Sequence, residues 1–167
     1  MKKILCLILA ICTLLLLCGC TSKDEPMLEP ANFYYRNSQI SYETSSGLIS
    51  PQVTEIAHHN GNLINILDAY LKGPTNSEHY HTFPSGTQLV SLDIKDSNAK
   101  IQLSNDFARL SGIHLSISCA CLSMTVMELT GATSVTISTV STTLDGNQSI
   151  TMDMQSILLF DSSYTNE

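Results

Sequence analysis

The 167-residue chain has few aromatic rings and few cationic side chains. It contains no tryptophan, six tyrosines and four phenylalanines, so a surface that stacks sugars or nucleobases is poorly supplied. Only eight Lys and Arg stand against fifteen Asp and Glu, which gives a formal charge of −7. Nucleic acids and anionic lipid surfaces are bound by basic patches, so this balance argues against both as partners.

The sequence also lacks the motifs of common catalytic and nucleotide-binding sites. Neither Gly-x-x-x-x-Gly-Lys nor Gly-x-Gly-x-x-Gly occurs, so nucleotide binding has no support. No Gly-x-Ser-x-Gly elbow is present to hold a serine nucleophile, and Ser85-Gly86 follows a proline and is typical of a turn. We therefore predict a protein that is not an enzyme and that uses no cofactor.

A long apolar run is found at the N-terminus. After Lys2 and Lys3, residues 4–17 carry no charge, and Thr13 is their one polar residue. Fourteen residues make roughly 21 Å of helix, which is short of the ~30 Å hydrocarbon core of a bilayer. The run is therefore typical of a cleaved signal peptide and not of a permanent membrane helix.

The signal region ends in Leu17-Cys18-Gly19-Cys20, which resembles the bacterial lipobox. A small residue before a cysteine gives the signal peptidase access, and the thiol can be alkylated by a diacylglyceryl group. We predict that residues 1–19 are removed and that Cys20 carries the lipid, which makes the membrane a partner through its acyl chains. An ordinary secretory signal or an uncleaved anchor is the alternative.

The mature chain divides into a tether and one domain. Removal of residues 1–19 leaves 148 residues, and the loss of Lys2 and Lys3 with them brings the formal charge to −9. Residues 20–31 are predicted to be the lipidated cysteine and a flexible polar tether, of which residues 21–31 reach roughly 35 Å when fully extended. Residues 32–163 are predicted to form the domain, because a chain of this length buries enough surface for one core.

Six cysteines are present, but few belong to the folded domain. Cys6, Cys12 and Cys18 leave with the signal peptide, which leaves Cys119 and Cys121 besides the lipidated residue. A Cys-x-Cys pair is too tight for easy disulfide geometry, and a disulfide framework needs more cysteines. We interpret the pair as buried, reduced thiols. A redox pair or half of a metal site is the alternative.

The apolar periodicity predicts the element order β-β-α-β-β-α-β-β. The predicted strands are residues 32–36, 52–58, 88–95, 99–103, 134–143 and 150–160, and the predicted helices are residues 63–72 and 113–130. This order predicts an α+β fold in which two helices pack on a mostly antiparallel or mixed sheet.

The first helix is predicted from one apolar stripe, formed by Leu63, Ile64, Leu67, Tyr70 and Leu71. The second helix is less clear, because Leu115, Ile117 and Cys119 alternate as in a strand while apolar residues also recur at helical intervals. Its length favours a helix that stops at Gly131.

The strand at residues 88–95 alternates apolar and polar side chains. Val90, Leu92 and Ile94 are predicted to form its one buried face. The following Asp-Ser-Asn at residues 96–98 predicts a hairpin turn.

The most metal-like stretch is Glu78-His79-Tyr80-His81. On a strand, His79 and His81 would point to one face, and His58-His59 would supply a third ligand. We prefer the interpretation that this is an exposed polar loop, because a metal site also needs supporting hydrogen bonds and geometry. His114, at the start of the second helix, is interpreted as a capping or core histidine and not as a catalytic base.

Several segments resemble GerMN domains. Residues 67–74, Leu-Asp-Ala-Tyr-Leu-Lys-Gly-Pro, resemble the helix that ends at Gly-Pro in that family. Residues 83–87, Phe-Pro-Ser-Gly-Thr, resemble its Ile-Pro-x-Gly-Thr turn, and residues 101–104 resemble its Val-Asp-Leu-Ser strand end. Residues 126–137 and the turn at residues 144–146 complete a resemblance that covers about residues 32–161.

The resemblance implies a function in the cell envelope. GerMN proteins are secreted or lipid-anchored, act in spore formation and germination or with membrane sensor kinases, and are regarded as binding or assembly modules. It therefore implies a non-enzymatic protein on the extracytoplasmic face of the cell membrane that binds an envelope protein or assembles as a homo-oligomer. The contact surface would be a sheet edge or an outer helix face.

Two other functions are compatible with that location. A peptidoglycan-acting enzyme or wall-ligand receptor would need a pocket in which carboxylates such as Glu55, Asp93 and Asp106 converge. A metal-delivery lipoprotein would need His79 and His81 to bind zinc or copper stoichiometrically.

Overall fold

The computed structural model describes residues 28–39, 47–57 and 63–157. Within these ranges the strands are β1 (Leu28–Asn37), β2 (Ile49–Ala57), β3 (His79–Tyr80), β4 (Leu89–Lys95), β5 (Asn98–Leu103), β6 (Ser134–Thr139) and β7 (Ser149–Asp153). The helices are α1 (Leu63–Leu71), α2 (Gly112–Thr130) and a 3-10 helix (Asn105–Arg109) between β5 and α2. The predicted α+β class and element order are confirmed, with β3 and the 3-10 helix as additions.

The seven strands form two sheets where one was predicted. One sheet has the order β2-β1-β3 and is antiparallel, and the other has the order β4-β5-β6-β7. In the second sheet β5 and β6 are parallel, while the outer pairs are antiparallel. Parallel neighbours need a crossover, and the 3-10 helix and α2 provide the one between β5 and β6.

Helix α2 lies in the core and contacts both sheets, through β1 on one side and β5, β6 and β7 on the other. Its buried residues run without a break from Ile117 to Ser123, so they surround the helix. This accounts for the mixed periodicity of its sequence. The helix is long and apolar enough to cross a membrane, but it is largely buried inside the domain, as a core helix is.

Helix α1 packs through the predicted stripe with one exchange. Ile64 is 54% exposed, and Ile66 is buried instead. The centre of the contact is Tyr70, which is fully buried and whose ring lies 5.0–5.3 Å from those of Phe33, Tyr35 and Phe83. An aromatic cluster of this kind holds α1 on the β1 sheet.

Hydrogen bonds from buried hydroxyls fix the same contact. The Tyr70 hydroxyl donates to the Tyr34 carbonyl at 2.8 Å, and the Tyr35 hydroxyl donates to the Tyr70 carbonyl at 3.0 Å. Helix α2 also bonds to β1, because the Tyr34 amide donates to Thr125 Oγ1 at 2.9 Å. Both helices are thus tied to β1, the central strand of its sheet.

Strand β4 does not have the single buried face that its sequence predicts. An irregularity between Leu89 and Ser91 interrupts the pairing with β5, and Val90 is 51% exposed. Ile94 is also 45% exposed. The strand lies at the edge of its sheet, where it is covered by the short α1, whereas α2 packs on the other three strands.

The predicted strand boundaries also differ at both ends of the described chain. Strand β1 begins at Leu28, four residues before its predicted start. The extended segment predicted at residues 150–160 ends at Asp153, and residues 154–157 are helical. Asp153 accepts hydrogen bonds from the Ser156 amide and hydroxyl, as an N-cap residue does, and these bonds lower the pKa of Asp153.

Candidate functional site

The predicted lipid attachment residue Cys20, together with the signal peptide before it, lies outside the described residues. The same holds for His58 and His59, which were considered as metal ligands. The structure does describe the other residues that the sequence singled out.

His79 is buried, and both of its ring nitrogens face protein atoms. Nδ1 lies 2.8 Å from Asn76 Oδ1, and Nε2 lies 2.9 Å from Ser50 Oγ. His81 is exposed after the end of β3, and its Nε2–H donates to the Lys72 carbonyl at 2.7 Å. The two histidines therefore serve different local contacts. Among the described residues, no group of three His, Cys, Asp or Glu could hold a metal ion.

The contact between His81 and Gly73 explains why α1 is followed by Gly-Pro. Gly73 has φ +100°, and a Cβ added there would lie 2.2 Å from His81 Cδ2. The glycine is therefore required both by the backbone and by the imidazole that packs on it. His81 satisfies a carbonyl just beyond the end of α1, which is a structural role.

Cys119 and Cys121 are buried and not joined to each other, as predicted. Burial raises the pKa of Cys119 to about 12, and burial raises that of Cys121 further. A thiol with so high a pKa is almost entirely protonated at neutral pH, so it is a poor nucleophile and a poor metal ligand. Both side chains fill space in the hydrophobic core around α2.

The carboxylates that an enzyme would need do not converge. Glu55 is exposed on β2, and Asp93 is exposed on β4 in the other sheet. Asp106 lies in the 3-10 helix, where its carboxylate is 2.5 Å from the Arg109 guanidinium. The three carboxylates thus lie on three separate elements of secondary structure.

The structure instead places basic side chains around a cavity of about 260 Å³, called here the Arg36 cavity. It lies between the end of β1, the segment after β3 and the first half of α2. Its described lining residues are Arg36, Tyr80, His81, Thr82, Phe83, Pro84, Leu110, His114, Ile117 and Ser118. The set contains one arginine, two histidines and no carboxylate.

The polar groups of the Arg36 cavity are only partly satisfied. The Arg36 guanidinium lies over the Tyr80 ring, 5.3 Å from its centroid. Arg36 Nε is buried and has no hydrogen-bond partner within the described part of the chain. Ser118 Oγ–H donates to the Thr82 carbonyl at 2.6 Å and so fixes this wall of the cavity to α2.

His114 is exposed, so its interpretation as a core or capping histidine was wrong. The first turn of α2 extends beyond the sheets, and residues 111–114 are all exposed. The helix start is capped instead by Asp145, whose carboxylate accepts the Gly112 amide hydrogen at 2.8 Å. This leaves the His114 side chain at the rim of the Arg36 cavity.

The sequence drew attention to the two histidines of this cavity, as metal-ligand or capping candidates, and gave no binding role to Arg36, Tyr80 or Thr82. One signal was available, because Arg36 is among the six cationic residues of the mature chain and directly follows the aromatic residues of the first predicted strand. Nothing local in the sequence brings residue 36 next to residue 114.

A second surface feature is the β4 edge, defined by Val90, Ile94 and the backbone of β4 that faces away from β5. Strand β4 pairs with β5 on one side only within the described residues. Two exposed apolar side chains beside unpaired backbone groups are typical of a surface that can accept another strand.

Comparison with known proteins gives a family and a fold. A sequence model of the Germane family, described as sporulation and spore germination, matches residues 32–148. The structure is similar to the tandem GerMN domains of the sporulation protein GerM from Bacillus subtilis. The TM-score is 0.57 at 17% identity, over 78% of this chain and 46% of that one.

The first GerMN domain of the same protein gives a TM-score of 0.55 at 15% identity, over 72% of this chain and 91% of that one. The chain thus spans just under half of the tandem structure and most of a single domain. No curated protein is significantly similar to this chain. At these identities the likenesses establish the GerMN fold.

Proposed function

The chain belongs to the Germane family of sporulation and spore germination proteins, and we propose that it is a non-enzymatic, lipid-anchored envelope protein of that process. In this proposal Cys20 carries the lipid and holds the protein on the extracytoplasmic face of the cell membrane. The GerMN-like domain, predicted at residues 32–163, then binds or assembles with another envelope protein.

The observation that carries the proposal is the extent of the family match. It covers residues 32–148, so it takes in both sheets up to the start of β7 as well as both helices. A match of this extent supports the proposal that the domain itself acts in the family's process. The scattered positions of Glu55, Asp93 and Asp106 support a binding role over a hydrolytic one.

The β4 edge is the contact surface in this proposal. A partner strand can pair with the outer backbone groups of β4, and its side chains can cover Val90 and Ile94. Strand addition of this kind needs no pocket, and it is compatible with a hetero-complex or with a second copy of the chain.

The anchor is tested by cell fractionation. Cys20→Ala is expected to move the protein from the membrane fraction to the soluble fraction, with loss of the mass of the acyl chains from the mature N-terminus. Cys119→Ala serves as the matched control, because its thiol is buried in the domain. A Cys20→Ala variant that stays in the membrane and keeps the same mass would contradict the lipid attachment.

The binding role is tested separately, by pull-down from detergent-extracted membranes of the native host. The unaltered chain is expected to recover a defined envelope protein or a second copy of itself. Val90→Lys and Ile94→Lys are expected to lose that species, while a substitution at exposed Ser85 keeps it. Recovery of no partner, together with hydrolysis of a cell-wall substrate by the purified chain, would refute the proposal.

A further inference from the structure

The Arg36 cavity is lined by a guanidinium with an unsatisfied donor. Arg36 Nε is buried without a partner within the described part of the chain. Buried donors of this kind are rare in folded proteins, because each one loses its bond to water and gains nothing in return. A ligand oxygen in the cavity would bind at the terminal nitrogens of the same guanidinium, because Nε itself is buried.

The charge of the cavity is opposite to that of the chain. The mature sequence has fifteen acidic residues and six Lys or Arg, yet the described lining includes Arg36, His81 and His114 and no carboxylate. No side-chain ion pair joins Arg36 to another described residue. An anion that enters this cavity therefore meets a guanidinium that has no carboxylate partner among the described residues.

The guanidinium is also restrained in a way that suits a planar anion. It lies over the Tyr80 ring, which limits the orientations of its plane, and its two terminal nitrogens form a fork for two oxygens. The remaining walls include Phe83, Leu110 and Ile117. These apolar side chains would contact carbon atoms, which inorganic phosphate does not have.

From these observations we propose that the Arg36 cavity binds a carboxylate carried on a short carbon chain, with Arg36 as the main anion ligand and His114 at the rim. The volume of about 260 Å³ limits the bound part to a small group. Free carboxylic acids and the acidic end of a peptide share this chemistry. The proposal does not depend on the lipid anchor or on the β4 edge.

The test uses the full chain in detergent, with its histidines isotopically labelled for NMR. The chain has five histidines, so the imidazole signals are few and can be assigned by substitution. Butyrate is expected to shift the signals of His81 and His114 and to leave that of buried His79 unchanged. Butyramide, which has the same shape without the charge, is expected to shift none of them.

Arg36→Gln is expected to weaken butyrate binding roughly 10- to 100-fold, the usual effect of removing a charged hydrogen-bond partner. Arg109→Gln is the matched control, because that arginine is already paired with Asp106 outside the cavity. Should Arg36→Gln fail to fold, His114→Gln at an exposed position gives a milder test with an expected loss of several-fold.

A peptide that ends in a free Glu, compared with its amidated Gln form, distinguishes the sources of the carboxylate. Tighter binding of the acidic peptide than of butyrate assigns the site to a peptide, and equal or weaker binding assigns it to a free acid. Equal binding of butyramide, unchanged binding by Arg36→Gln, or binding of phosphate without butyrate would each overturn the proposal.

Discussion

Gly73 combines two requirements that can be separated by experiment. Its φ of +100° lies in a region that side chains with a Cβ rarely adopt, and a Cβ there would lie 2.2 Å from His81 Cδ2. Gly131 has φ +70° at the end of α2, and no heavy atom lies within 4 Å of the corresponding Cβ. Both glycines thus adopt a positive φ that disfavours a side chain. Only at Gly73 would an added Cβ also collide with a neighbouring side chain.

The expected magnitudes follow from this difference. The positive φ alone costs an alanine about 1–2 kcal/mol, which is the whole expected effect of Gly131→Ala. Gly73→Ala adds either a backbone shift, at about 1–3 kcal/mol, or displacement of the His81 ring with loss of its bond to the Lys72 carbonyl. We therefore expect Gly73→Ala to lower the free energy of unfolding by about 2–5 kcal/mol.

The assay is urea unfolding of the full chain in detergent, followed by circular dichroism, for both glycine variants. A double variant, Gly73→Ala with His81→Ala, is expected to recover part of the loss, because the added Cβ then meets no ring. Equal losses for Gly73→Ala and Gly131→Ala, or no recovery in the double variant, would refute the role given to His81.

Three further predictions concern the core and the helix ends. Tyr70→Phe leaves the Tyr34 carbonyl without its donor, so we expect the same urea assay to give a loss of about 1–3 kcal/mol. Asp145→Asn weakens the anionic cap on the Gly112 amide, with an expected loss of about 0.3–1 kcal/mol that is smaller in high salt. Burial raises the pKa of Cys119 to about 12, so about one molecule in ten thousand carries the thiolate at pH 8. Peptide mapping by mass spectrometry should therefore find Cys119 unlabelled by iodoacetamide until urea is added.

Local sequence patterns were sufficient to predict most helices and strands, but not the division of the strands into two sheets. The spacing around the Gly-Pro at residues 73–74 and the stop at Gly131 predicted both helix ends to within a residue or two. The sequence of α2 was ambiguous because a helix between two sheets is apolar on every side. Only the tertiary arrangement explains why Ser118 and Ser123 are buried among apolar residues.

The candidate site was harder to predict, because its residues are distant in sequence. Arg36 and His114 line one cavity through the packing of β1 against α2, which no local pattern encodes. The histidine-rich stretch at residues 79–81 did attract attention. The role found there for His81, a bond to a carbonyl beyond α1, depends on a loop that returns to Gly73.

The early start of β1 has a consequence for how the protein meets its partners. With the sheet beginning at Leu28, the lipid proposed on Cys20 would be joined to the folded body by seven residues, which span at most roughly 25 Å. A domain held this close to the membrane surface would be confined to the same narrow region as the other proteins of that membrane. The effective concentration of the domain and its partner reaches the millimolar range there. Contacts too weak to detect between dilute, detached domains would then be occupied most of the time on the cell surface.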